Sequence, residues 1–137
     1  MPPFLRNTLS IVAGIIAGSI INLGLLEIGG KLIAPPTGAD LSNAEGWKAA
    51  LPLLQPKHFL FPFLAHALGT FAGAMVAAYW ALAKLRAAWV VGFVFLFGGI
   101  MSCFMIPAPL WFIATDLIMA YLPFAYVVGK YLGKKNK

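Results

Sequence analysis

The sequence predicts an all-α membrane protein, an up-down bundle of four transmembrane helices, and three observations support this fold class. Four apolar segments, at about residues 7–33, 59–83, 87–106 and 108–130, each exceed or match the roughly 20 helical residues that cross a hydrocarbon core. The chain is 61% hydrophobic and 10% charged, whereas about a quarter of the residues of a soluble protein are charged. Two of the three connections are only a few residues long, which makes neighbouring helices antiparallel. We therefore expect a single transmembrane domain over residues 1–137.

The first segment is predicted to begin at Asn7 and Thr8, whose side chains can cap the first amides of a helix. It should end before Pro35-Pro36, where the chain cannot continue as a helix. Its apolar run is longer than the roughly 7–15 residues of a signal-peptide core, so we expect an uncleaved first helix.

The one sizeable loop, residues 35–58, is predicted to carry a short helix that lies flat at the membrane surface. Ser42 and Glu45 have the spacing of a capping box, which marks a helix start. Apolar residues follow at helical spacing, beginning with Trp47, whose ring favours headgroup depth. Pro52 should end or kink this helix.

The remaining three segments are predicted to form consecutive hairpins. A turn at about 83–87 joins the second and third segments, and Pro107-Ala108-Pro109 joins the third and fourth. Pro123 lies deep in the fourth segment and has no amide proton for the carbonyl of Met119. We therefore expect a kink there.

The basic residues predict how the chain is oriented. Lys and Arg are in excess on the side that holds both termini and the second turn, and such an excess marks the cytoplasmic side. The seven residues on that side are Arg6, Lys84, Arg86, Lys130, Lys134, Lys135 and Lys137; the three on the loop side are Lys31, Lys48 and Lys57. Both termini should be cytoplasmic and the loop outside. The net charge is +6, but the basic residues do not form a patch interleaved with aromatic residues. The expected partner is therefore the lipid bilayer and not nucleic acid.

Glycines at four-residue spacing mark helix-packing faces. Gly14 and Gly18 form a GxxxG pair in the first segment, and Gly69 and Gly73 form a similar stripe in the second. Such stripes let helix backbones approach closely in lipid. They serve either packing inside the bundle, which we favour, or contact between copies of the chain.

Three ionisable side chains within the segments, besides Cys103, form a candidate polar cluster: Glu27, His66 and Asp116. At about 1.5 Å of rise per residue, each lies roughly 9–11 Å below the outer surface. Ionisable residues at such depth normally face a partner or a cavity. Four further polar residues extend the candidate cluster: Lys31, Asn22, Thr70 and Thr115.

The position of Glu27 on its helix argues against one shared site. Glu27 is five residues beyond Asn22, and at about 100° per residue it lies away from the glycine face. Either Glu27 faces a different helix or the first segment bends near Gly24. Lys31 is a local partner for Glu27, one turn later.

Several interpretations of the cluster stay open. In a structural network, Glu27 pairs with Lys31 and His66 hydrogen-bonds Asp116; we favour this one because buried polar groups in bundles most often fix packing. A second interpretation is a proton- or substrate-coupled site. A metal site of Glu27, His66 and Asp116 is the weakest, because no spacing motif supports it.

Signatures of catalysis and of cofactors are absent from the sequence. It has no phosphate-binding glycine loop, no HExxH and no CxxC. Met101, Cys103 and Met105 are soft ligand types, but their i, i+2, i+4 spacing separates the cysteine from the methionine pair and favours packing. We therefore predict no enzyme activity, no metal and no cofactor.

Several short motifs resemble those of small four-helix bacterial integral membrane proteins of unassigned function. They are Glu27 with Gly30-Lys31, Pro35-Pro36-Thr37-Gly38 with Asp40, His66-Ala67-Leu68-Gly69, Gly98-Gly99-Ile100, Pro107-Ala108-Pro109-Leu110-Trp111, Pro123 and Gly129. The resemblance covers nearly the whole chain. It implies a bundle in a bacterial inner membrane and no particular activity.

Two functions follow from these patterns. The first is a non-enzymatic membrane protein that acts through helix association, as a homo-oligomer or as an accessory subunit of a larger membrane complex. It is suggested by the glycine faces, the short loops and the absence of catalytic motifs. The alternative is a small transporter or channel with a polar site of Glu27, His66 and Asp116 in the outer leaflet.

Overall fold

The structure, a computed structural model, describes residues 1–134 and shows the predicted all-α bundle of four transmembrane helices. Lys135 and Lys137, two of the basic residues counted above, lie outside the described residues. Four helical stretches are long and apolar enough to cross a membrane: Pro3–Leu32, Pro56–Trp80, Lys84–Met105 and Leu110–Lys134. The chain is therefore a multi-pass membrane protein.

The third helix in chain order is the centre of the bundle. The helices are α1 (Pro3–Leu32), α2 (Ala44–Ala50), α3 (Leu60–Trp80), α4 (Lys84–Met105), α5 (Leu110–Met119) and α6 (Leu122–Lys134). Helix α3 packs against α1 on one side and against α4 and α6 on the other. We call the end of the bundle that carries residues 33–59 the loop side, and the opposite end, where α1 begins, the terminal side.

Helix α1 begins at Pro3, earlier than the predicted start at Asn7 and Thr8. Asn7 does act as a cap, but for a distant segment. Its side-chain oxygen accepts hydrogen bonds from the backbone N–H groups of Leu82 (2.9 Å) and Ala83 (3.3 Å), just before α4. The side chain thus joins the start of α1 to the turn between α3 and α4, a contact that local sequence does not reveal.

A short helix lies in the loop, as predicted, but its cap is one residue later than expected. Asn43, rather than Ser42, precedes Ala44–Ala50 and accepts a hydrogen bond from the N–H of Gly46 (2.8 Å). The hydroxyl of Ser42 instead donates to the carboxylate of Asp40 (2.6 Å). The Ser42 hydroxyl and backbone N–H both donate to Asp40, and the oxygen that accepts from the helix N–H is that of Asn43.

The fourth span is interrupted where Pro123 predicts a kink. Helix α5 ends at Met119 and α6 begins at Leu122. Regular hydrogen bonding resumes with the N–H of Ala125, which donates to the carbonyl of Tyr121 (3.1 Å). Because Pro123 has no N–H, the interruption leaves no backbone donor unpaired at residue 123.

The four glycines of the predicted stripes lie against one another inside the bundle. A Cβ atom at Gly18 would lie 2.5 Å from the carbonyl oxygen of Gly69, and one at Gly69 would lie 2.9 Å from the carbonyl oxygen of Gly18. Gly14 faces Gly73 in the same way. These faces are therefore occupied by contact between α1 and α3.

Small side chains fill the terminal half of the bundle. The buried residues there are Ala74, Ala77, Ala78, Ala81, Ala87, Ala88, Val91, Ala125 and Val128. Alanine allows α3, α4 and α6 to approach closely without long side chains between them. The two cavities described below lie toward the other half.

Candidate functional site

A hydrogen-bonded histidine–aspartate pair lies inside the bundle. His66 is in the second turn of α3 and Asp116 is in α5. The Nδ1 atom of His66 lies 2.8 Å from Oδ1 and 2.9 Å from Oδ2 of Asp116. Asp116 is 3% exposed. When Asp116 is ionised its carboxylate only accepts, so Nδ1 of His66 is then the donor in this hydrogen bond.

Tyr121 completes this buried group. Its hydroxyl donates a hydrogen bond to Oδ2 of Asp116 (2.9 Å), and its ring stacks on the ring of His66 with centroids 5.6 Å apart. On an unbroken helix, Tyr121 would point about 140° away from Asp116 around the axis. The interruption between α5 and α6 brings the two side chains together.

Two neighbouring residues position the group. A Cβ atom at Gly99 of α4 would lie 2.6 Å from Cζ of Tyr121, so the absence of a side chain makes room for the tyrosine ring. The hydroxyl of Thr70, which is fully buried, donates to the backbone carbonyl of His66 (2.8 Å). Thr70 therefore supports the backbone of His66 without contacting its ring nitrogens.

A cavity of about 430 Å³ opens above the pair toward the loop side, and we call it the vestibule. His66, Asp116 and Cys103 contribute to its lining among mostly apolar groups. The aromatic residues that line it are Trp47, Phe59, Phe61 and Phe112. The loop residues Leu41, Trp47 and Leu54 contribute to the same lining, so the loop covers the vestibule.

A second cavity of about 250 Å³ is lined by His66 together with residues of α1 and α4, and we call it the inner chamber. Its polar lining residues are Ser19, Asn22, His66, Ser102 and Tyr121. The side-chain oxygen of Asn22 is buried and has no hydrogen-bond partner among residues 1–134. A buried amide oxygen of this kind is expected to accept hydrogen bonds from water. His66 lines both cavities, as do Gly99 and Ser102 of α4.

Glu27 is not brought together with His66 and Asp116. Its carboxylate pairs with the ammonium group of Lys31 at 3.0 Å, and both side chains are at least 70% exposed on the surface of α1. Depth along the membrane axis placed Glu27 beside the other two, whereas its direction around the helix separates them. The three-residue site predicted from depth is thus a pair, extended by Tyr121.

The other candidate residues fall into different places. Thr115 is exposed, and its hydroxyl donates to the carbonyl of Trp111 (2.7 Å) within its own helix. Cys103 lines the vestibule, whereas Met101 and Met105 are exposed on the surface of α4. Within residues 1–134, no group of three His, Cys, Asp or Glu side chains is placed to hold a metal ion.

The fold and the site define a class of protein: a four-span membrane protein with a ligand-sized cavity above a buried histidine–aspartate pair. Comparisons with protein-family models, with curated proteins and with solved structures found no match to the chain. The site itself is therefore the basis for a functional proposal.

Proposed function

We propose that the chain is a small transporter that admits a largely apolar molecule with a polar or charged end into the vestibule and holds it against the His66–Asp116 pair. One observation carries this proposal: a buried, hydrogen-bonded carboxylate contributes to the lining of a ligand-sized cavity. A carboxylate inside a helical bundle is costly, and such groups mark substrate and ion pathways.

The vestibule has the size and lining of a small-molecule site. Its volume of about 430 Å³ falls within the range of about 300–1,000 Å³ that is usual for such sites. Its walls are mainly apolar, and the polar groups of His66 and Asp116 converge at one place. This combination favours a molecule that is apolar over most of its surface and polar at one end.

The interruption beside the pair also supports transport. Transporters bind substrates at helices that are broken near the middle of the membrane, because the break exposes polar groups and allows movement. Here α5 and α6 meet at Ala120–Tyr121, next to Asp116. A change of angle at this point would move Tyr121 relative to Asp116 and alter the floor of the vestibule.

The orientation and the membrane are part of the proposal. The excess of Lys and Arg on the terminal side supports a cytoplasmic location for both termini. The vestibule and the loop then face outside. The resemblance to small bacterial membrane proteins supports the bacterial inner membrane as the location.

Helix association, the function that the sequence ranked first, stays a prediction with less support. Its positive evidence was the two glycine faces, and these faces contact each other where α1 packs against α3. An assembly would have to form through other surfaces. Native mass spectrometry of the chain extracted from its membrane tests it: a fixed homo-oligomer or a stoichiometric partner would support association.

The single cysteine of the chain offers a direct test of transport and binding. Cys103 lines the vestibule, so a bound molecule should slow its alkylation by N-ethylmaleimide. We expect such a molecule to be taken up by proteoliposomes that contain the chain. Asp116→Asn should abolish both effects, whereas Thr115→Ala, the exposed neighbour on the same helix, should preserve them. A folded Asp116→Asn variant with unchanged uptake would contradict the proposal.

A further inference from the structure

We propose that the molecule held in the vestibule is a lipophilic monovalent cation, and that it is exchanged for one proton held by His66. This inference rests on the proposed function and names the substrate class of the same site. It follows from the charges, the hydrogen bonds and the walls of the two cavities.

The described lining of the two cavities carries one carboxylate and no permanent positive charge. Asp116 is the one acidic residue that lines either cavity, and no Lys or Arg among residues 1–134 does so. Tyr121 is neutral, because its hydroxyl proton is in the hydrogen bond to Asp116. With a neutral imidazole, the site therefore holds a single negative charge in an apolar surrounding.

His66 supplies the position for one exchangeable proton. Its Nδ1 atom donates to Asp116, so Nε2 is the ring atom that can bind a further proton. A proton on Nε2 gives an imidazolium ion that the carboxylate neutralises. The pair thus alternates between no net charge and one negative charge, and a cation in the vestibule stabilises the second state.

Apart from Asp116, the groups that face His66 from the neighbouring elements within residues 1–134 carry no permanent charge. Asp116 from α5 and Tyr121 beyond it contact the imidazole directly. Helix α4 contributes Cys103 to the vestibule, and the turn before α3 contributes His58, whose Nδ1 lies 2.9 Å from the backbone nitrogen and 3.2 Å from the carbonyl oxygen of Gln55. Helix α1 contributes the uncharged Asn22 to the inner chamber.

The walls select a bulky organic cation rather than a metal ion. Metal cations such as Ca²⁺ require about six or more oxygen ligands, whereas both oxygens of Asp116 already accept hydrogen bonds and the walls are apolar. Aromatic faces attract organic cations that are weakly hydrated. Phe59, Phe61 and Phe112 line the vestibule and provide such faces.

The inner chamber gives the displaced proton a route away from the vestibule. His66 lines both cavities, and the lining of the chamber includes hydroxyl and amide groups that can hydrogen-bond to water. When the cation binds, the N–H bond at Nε2 breaks and its proton passes to water in the chamber. When the cation leaves, Nε2 takes a proton from water, and Nδ1 keeps its own proton throughout.

Isothermal titration calorimetry of the full chain in detergent tests this exchange, with tetraphenylphosphonium as the probe. Titrations in two buffers of different ionisation enthalpy report the protons released. We expect about one proton per bound cation at low pH, and an apparent Kd that rises about tenfold for each pH unit of acidification once the pair holds its proton. The neutral triphenylphosphine oxide should bind more weakly and release none.

Two variants separate the cation site from the proton site. Asp116→Asn removes the negative charge and should abolish binding of tetraphenylphosphonium. His66→Gln keeps an N–H donor for Asp116 but has no atom that takes up the exchangeable proton, so tetraphenylphosphonium bound to this variant should release no proton, whatever its affinity. Thr115→Ala should behave as the wild type in both measurements.

The outcomes distinguish this inference from the proposed function. Equal affinity for the neutral compound, without proton release, would overturn the cation–proton exchange and leave the vestibule as a binding site. If neither probe binds, the cation inference is wrong. If, in addition, no compound protects Cys103 or is taken up by proteoliposomes, the proposed function fails as well. If Asp116→Asn does not fold, the number of protons released by the wild-type protein still tests the cation–proton exchange.

Discussion

Tyr121 reaches Asp116 across an interruption in the fourth span, with its hydroxyl 2.9 Å from Oδ2 of the carboxylate. The two residues belong to the same apolar stretch of sequence, yet a continuous helix would point them in different directions. The break therefore does more than bend the span. It completes the hydrogen bonding of the one carboxylate that lines the described cavities.

Tyr121→Phe should destabilise the bundle by about 1–2 kcal/mol, because it removes a hydrogen bond to a buried charged acceptor and keeps the ring. Unfolding in detergent by a chemical denaturant measures the change. Tyr126→Phe is the matched control, because Tyr126 is 42% exposed. Equal stability of the two variants would show that the Tyr121 hydroxyl contributes nothing to the fold.

Gly99→Ala should displace the ring of Tyr121 and disturb the pair, since a methyl group there overlaps the ring at 2.6 Å from Cζ. Overpacking of this kind costs about 1–3 kcal/mol. Gly98→Ala is the control, because no atom lies within 4 Å of a methyl group at the adjacent position. Near-ultraviolet circular dichroism, which reports aromatic packing, should change for Gly99→Ala alone. The same change in both variants would refute the steric explanation.

Gly18→Ala should separate α1 from α3, because a methyl group would lie 2.5 Å from the carbonyl oxygen of Gly69. We expect a loss of about 2 kcal/mol. Gly24→Ala on the same helix meets no atom within 4 Å and should be neutral or mildly stabilising, since alanine favours helices by about 1 kcal/mol over glycine. Thermal unfolding of the wild type and the two variants measures both changes in stability.

The oligomeric state of these two variants gives a second measurement. If the glycine face served contact between copies, Gly18→Ala would change the mass of the assembly without loss of stability. That result would contradict the internal packing of α1 on α3.

The fold could be predicted because lipid restricts the alternatives. A span must satisfy its backbone hydrogen bonds within itself, so four long apolar segments predict four helices. The hydrogen bond between His66 and Asp116 was one interpretation of the candidate cluster, because ionisable side chains at such depth normally face a partner. These inferences use only the lengths of the apolar segments and the depths of residues within them.

The composition of the site could not be predicted in full, because it depends on directions around helices and on contacts that are distant in sequence. The estimated depth of Glu27 equals that of His66, but the Glu27 side chain is exposed on the surface of α1 and pairs with Lys31, so it is not part of the site. Tyr121 was overlooked because its direction depends on the break before Pro123. Asn7 was assigned a local cap, whereas its partners are Leu82 and Ala83 on another hairpin.

The loop that covers the vestibule should lose order in acid, because Asp40 holds its first turn together. The hydroxyl and backbone N–H of Ser42 donate to this carboxylate and lower its pKa below the ordinary value of 3.8. A lowered pKa means that the stabilisation is complete above the ordinary value and is lost as the pH falls through the lowered one. Hydrogen–deuterium exchange over residues 40–46, corrected for intrinsic rates, should therefore show less protection well below the ordinary pKa of Asp than at neutral pH.

Two substitutions isolate the carboxylate of Asp40 as the cause of this change. Asp40→Asn has no titrating group in the turn, so its protection should be lower than that of the wild type at neutral pH and should change little in acid. Glu45→Gln removes the other carboxylate of the loop, which receives no side-chain hydrogen bond within residues 1–134, and should keep the wild-type response. A wild-type loop whose protection is the same at both pH values would show that Asp40 does not order it. At neutral pH, Asp40→Asn should also speed alkylation of Cys103, because Leu41 and Trp47 line the vestibule and loss of order in this turn uncovers it.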